Sequence, residues 1–100
     1  MLAEFGINPV DGNHMSKDIA KVIQILDETG LDYRLGPMGT CVEGGFDEVM
    51  AAIGRCHRLL AKDHSRLITT VVIDDCRDHP CHLDEMVSHV EKQLGHVAKR

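Results

Sequence analysis

"YRLGPMGTCVEGG", Tyr33 to Gly45, sets two short apolar runs on either side of Gly36, Pro37 and Gly39. Glycine and proline in that arrangement mark a tight turn. The flanking runs, near residues 32 to 36 and 40 to 44, therefore read as the two arms of a hairpin joined by Gly36 to Gly39. Two strands adjacent in sequence in the middle of a short chain exclude a purely alternating β-α-β-α order. What flanks them decides the architecture.

Upstream, "LAEFGIN" alternates, with Ala3, Phe5 and Ile7 on one face and Leu2, Glu4, Gly6 and Asn8 on the other, as in a half-buried strand over residues 2 to 8. Pro9, Asp11, Gly12 and Asn13 read as a loop. Ser16 is the expected N-cap of a helix carrying Ile19, Val22, Ile23 and Leu26, and Gly30 its C-cap. Downstream, Phe46, Val49, Met50, Ile53, Cys56, His57 and Leu60 recur at helical spacing, with Asp47 and Glu48 favourable in the first turn. "RLITTVVID" is β-branched and continuous and reads as a strand over residues 66 to 75, and Leu83 to Leu94 as a last helix. The order β-α-β-β-α-β plus a helix is that of the ferredoxin-like split βαβ motif. It implies one α+β domain spanning residues 1–100: a four-stranded antiparallel sheet with the two main helices on one face and a C-terminal helix.

The strand of Arg66 to Asp74 is apolar on both faces. Either Leu67, Thr69, Val71 and Ile73 meet the helices or, one residue out of register, Ile68, Thr70, Val72 and Asp74 do. The other face then needs cover from a second subunit or from the last helix. Sheet-on-sheet packing into a homo-oligomer is the expectation.

The net charge of −5 repels phosphate backbones, which argues against a nucleic-acid partner. The RNA-binding use of this fold also needs aromatics on the central strands, and Phe5, Tyr33 and Phe46 are the whole aromatic set. No apolar run is long enough to span a membrane, and "MLAEFGINP" has no basic start, so a cytoplasmic protein is expected. There Cys41, Cys56, Cys76 and Cys81 would be reduced thiols. Cys76, His79, Cys81 and His82 carry zinc-type donor atoms, but their spacing matches no usual structural pair, so folding is expected to need neither metal nor other cofactor. The seven-residue recurrence of His82, His89 and His96, and of His57 and His64, reads as polar helix surface. Asp74 and Asp75 read as a solvated strand end. No nucleophile, base and orienting group can be picked out, and "GGFDEV" lacks phosphate-loop spacing, so an enzyme is not expected.

"AEFGINP", "YRLGPMGTCVEG" and "TTVVIDDCRD", at these separations, resemble the thiamine-binding-like (YkoF-like) family of small prokaryotic proteins. The resemblance spans nearly the whole chain, and "PMGT-x-VEG" followed by Asp47 and Glu48 is its most specific block. It implies a ferredoxin-like fold, dimers or tetramers joined through sheet faces, and a pocket for thiamine or its pyrimidine portion. Gly6, Val72 and Cys76 depart from the Ser, basic residue and Arg that such relatives carry. On that footing Asn8, Met38, Gly39, Thr40 and Glu43 are the candidate ligand contacts. Met38 offers a soft wall, Gly39 close backbone approach, and Asn8 a hydrogen bond to a ring substituent. The carboxylate of Glu43 could pair with an aminopyrimidine. Each has a plainer reading: Glu43 as an edge-strand charge, Met38 as packing, Asn8 as a turn starter. The implied activity is non-catalytic binding for storage, delivery or sensing. The alternative is an oligomeric interaction or regulatory protein without a small-molecule ligand.

Overall fold

The computed structural model describes residues 1–10 and 15–100. Four strands, β1 (Leu2–Pro9), β2 (Asp32–Leu35), β3 (Thr40–Glu43) and β4 (Leu67–Asp74), form one antiparallel sheet in the order β2-β3-β1-β4. Helices α1 (Met15–Thr29) and α2 (Phe46–Ala61) connect them, and α3 (Glu85–Leu94) follows β4. This is the expected ferredoxin-like arrangement. β1 pairs with β4 along its whole length, Leu2↔Asp74 to Pro9↔Leu67, but with β3 only from Leu2↔Glu43 to Phe5↔Thr40.

Strand alternation sorts the side chains. Ala3, Phe5 and Ile7 of β1 and Val42 of β3 are buried against Val22, Ile25 and Leu26 of α1 and Val49, Ala52, Ile53, Cys56 and Leu60 of α2. Leu67 and Val71 of β4 pack on the same core, which settles the register question in favour of the Leu67, Thr69, Val71 set. Cys56 is fully buried, and that burial pushes its thiol up to about 11. The opposite face keeps Ile68 and Val72 exposed.

One cap expectation changes. Met15 already lies in α1, so Ser16 is inside the first turn and not its N-cap. The expected loop at Asp11, Gly12 and Asn13 lies outside the described residues. In the first turn of α1 Asp18 is buried and bound to His64 Nε2 at 2.9 Å. A carboxylate is favourable at a helix start, and a buried one needs this partner. His57 likewise turns inward, its Nδ1 lying 2.6 Å from Thr69 Oγ1. These two histidines therefore tie α1 and β4 to α2 and its following turn, and are not free polar surface. Gly30 takes the left-handed conformation (φ +75°) expected of it.

The last helix starts at Glu85, two residues later than the spacing predicts, and has no buried residue. Met86, Val90 and Leu94 stay exposed, so α3 does not cover the open sheet face. No helix among the described residues is long and apolar enough to cross a membrane.

Candidate functional site

The β2–β3 hairpin closes on Pro37 and Met38. The Gly36 N–H donates to the Gly39 carbonyl at 2.8 Å. Both glycines serve space rather than a left-handed backbone, since among the described residues positive φ values occur only at Gly30 and Gly95. A Cβ on Gly36 would sit 2.9 Å from the Gly39 carbonyl oxygen, and one on Gly39 would sit 3.2 Å from the Phe5 carbonyl oxygen. With no left-handed residue at its tip, the turn is not of the primed type that follows strand twist. β2 and β3 stay paired up to Leu35↔Thr40, while pairing of β3 with β1 stops at Phe5↔Thr40.

Beyond that point a cleft of about 360 Å³ opens between the hairpin tip, Gly6 to Asn8 of β1, and Met15 and Ile19 of α1, with Leu60 at its base. Its size falls in the small-molecule range, and its walls are mostly apolar with a few polar groups. Asn8, Met38, Gly39 and Thr40 all line it. Thr40 is buried, whereas Met38 is 97% exposed at the rim. Asn8 sits on the open-face side, its amide Nδ2 3.6 Å from where a Gly6 side chain would begin.

Glu43 is not with them. It lies an odd number of positions from Thr40, so its side chain leaves the other face of the sheet. Its carboxylate Oε1 accepts the Leu83 backbone N–H at 2.8 Å, and Oε2 accepts His82 Nδ1–H at 3.1 Å. A carboxylate can only accept, which fixes the proton on Nδ1. Those contacts, the Leu83 bond first and His82 second, hold the Glu43 carboxyl below the usual carboxylate range. Beside it Arg34 binds Asp84 at 2.8 Å. Together these form a shallow polar depression of about 300 Å³ that anchors the start of α3. The expected five-residue site thus separates into a four-residue cleft and a polar latch. The partners His82 and Leu83 are remote in sequence and carry no local signal of this role, but the parity of Thr40 and Glu43 was readable.

Between the two regions the open face carries Glu4 and Cys41. The Cys41 thiol donates to Glu4 Oε2 at 3.4 Å and is raised in pKa, first by burial and then by that carboxylate. In the loop before α3, Cys76 Sγ lies 3.3 Å from His79 Nδ1. Among the described residues no three His, Cys, Asp or Glu side chains are grouped to hold a metal ion.

Residues 3–91 match the model of a family described as thiamine-binding protein. The chain belongs to that family. It is 37% identical over 90 residues to a UPF0045 protein of Staphylococcus xylosus, covering 85% of this chain and 84% of the relative. A UPF0045 protein of Methanocaldococcus jannaschii, MJ1052, is 30% identical over 79 residues, covering 78% and 79%. The crystal structure of MJ1052 superposes with a TM-score of 0.83, covering 91% of this chain and 95% of that one at 26% identity. A Thermotoga maritima structure, described as a candidate thiamine biosynthesis/salvage protein, superposes with a TM-score of 0.78 at 26% identity, covering 89% and 96%.

Proposed function

We propose that this family member binds thiamine or a related hydroxymethylpyrimidine compound, without converting it, in the cleft at the end of the sheet. The observation that carries the reading is the convergence of Asn8, Met38, Gly39 and Thr40 on one small-molecule-sized cleft beside a rigid turn. The family and its Thermotoga relative support it. In this reading Thr40 and Asn8 supply polar contacts, Met38 folds over the ring from the rim, and Gly39 allows close approach. The reading leaves Glu43 out of the pyrimidine contact, because both its oxygens are engaged by the latch and it pairs with Leu2, at the far end of β1 from Asn8. The role is storage, delivery or sensing in the cytoplasm. Titration calorimetry with thiamine and with hydroxymethylpyrimidine tests it. Binding that Gly39→Val abolishes supports the cleft, and no heat with either compound ends the reading.

The proposed working form is a homo-oligomer, dimer or tetramer, joined through the open sheet face around Ile68 and Val72. The same exposed residues, with Met86, Val90 and Leu94, favour a second reading: an assembly or regulatory protein with no small ligand. Thermal shift separates the two, because only a ligand that binds the folded state raises the melting temperature. Sedimentation of a pure monomer at micromolar concentration would remove the oligomer from both.

A further inference from the structure

Three backbone contacts fix which way each peptide group of β1 points. Gly44 N–H donates to the Met1 carbonyl at 3.1 Å and the Met1 ammonium donates to the Gly44 carbonyl at 2.8 Å, so odd-numbered residues face β3. On the other edge Val10 N–H donates to the Arg66 carbonyl at 3.1 Å, so even-numbered residues face β4. The 3.2 Å approach of the Phe5 carbonyl to a Cβ built on Gly39 agrees with this parity. Ile7 is the next odd residue. Continuing the register past Phe5↔Thr40 would put Met38 opposite it, but the chain has turned away at Gly39. The Ile7 N–H and C=O therefore point into the cleft where a strand residue would have been. Pro9, the following odd residue, has no N–H. Ile7 is the last residue of β1 to offer a donor and an acceptor on this edge.

Resting on the thiamine reading, we propose that the main chain of Ile7 reads the pyrimidine: its C=O accepts from the 4-amino group and its N–H donates to the adjacent ring nitrogen, so that the ring lies in the plane of the sheet in place of Met38. A 4-aminopyrimidine edge presents a donor beside an acceptor, the same pair that an antiparallel neighbour exchanges. Gly6 and Gly39 themselves add no side chain to the approach, and Asn8 stands on the open-face side of the ring. The thiazolium then extends past the hairpin tip toward solvent.

Main-chain recognition is tested by editing the ligand. Oxythiamine replaces the amino donor by a carbonyl and moves a proton onto the adjacent nitrogen, so acceptor meets acceptor and donor meets donor. Pyrithiamine keeps the aminopyrimidine and replaces only the thiazolium. In calorimetry pyrithiamine and hydroxymethylpyrimidine should bind within several-fold of thiamine, and oxythiamine at least about tenfold more weakly. In ¹⁵N-edited spectra the Ile7 amide proton should shift downfield on adding thiamine. If thiamine binds but oxythiamine binds equally well, or the Ile7 amide does not move, this inference is overturned while the functional reading stands. If none of the four compounds binds, the functional reading itself fails.

Discussion

The two ends of β3 share a backbone and differ in almost everything else. At Thr40 the strand meets the glycine turn, and the Thr40 side chain is buried on the helix-covered face. At Glu43 it ends on the open face, where a carboxylate gathers a backbone N–H and an imidazole from a segment far away in sequence. The first end is held by apolar packing and leaves a cleft. The second is held by a few polar contacts and leaves a helix with no buried residue. The comparison separates what keeps the domain folded from what positions its last helix.

The largest effect expected is in the packing beneath the cleft. Leu60 is 1% exposed and forms the base of the cleft. Leu60→Ala should cost about 2–5 kcal/mol in urea unfolding, whereas Leu94→Ala on α3, 52% exposed, should change stability by no more than about 0.5 kcal/mol. Equal costs would erase the distinction. Next is the turn. Gly36→Ala must move the Gly39 carbonyl, at about 1–3 kcal/mol by the usual cost of overpacking, and should weaken thiamine binding. A variant as stable as the parent would show that the turn is less constrained than its geometry indicates.

Smaller effects belong to the latch. Glu43→Gln should raise hydrogen exchange in residues 82–94 while global stability falls by less than about 1 kcal/mol. Thiamine affinity should be unchanged, and a tenfold loss would return Glu43 to the binding site. Acidification should act in the same direction. The folded Glu43 carboxyl is held below its ordinary range, so its contribution is complete above the unfolded carboxylate pKa of about 4.3 and disappears as pH falls through the lower folded value. Exchange in α3 should therefore rise at acid pH in the parent, and less so in Glu43→Gln. Asp32, Asp84 and Glu85 line the same depression, and the variant serves as the control for them.

Much of this architecture was legible in residue order. Alternation in Ala3, Phe5 and Ile7, the Gly36-to-Gly39 turn and the β-branched Leu67 to Ile73 each encode local geometry that tertiary packing then retained. Four of the candidate contacts also came together, because they lie on the turn and on the strand that the turn abandons. The latch was not legible, since the partners of Glu43 lie about forty positions away, in a loop whose Cys and His residues suggested other chemistry. Nor was the start of α1 at Met15. The role of Ile7 is hidden for another reason: it rests on a main-chain edge, which side-chain patterns do not describe.

Cys56 has a consequence of a different kind. Its thiol is sealed between α1 and α2 with the Val22 carbonyl as its neighbour, and its pKa near 11 leaves almost no thiolate at neutral pH. Alkylating reagents will reach it only when the domain opens. Once the half-buried Cys41, Cys76 and Cys81 have been replaced by serine, the labelling half-time of that one sulfur becomes a stopwatch for unfolding in native buffer, read by mass spectrometry with no denaturant present.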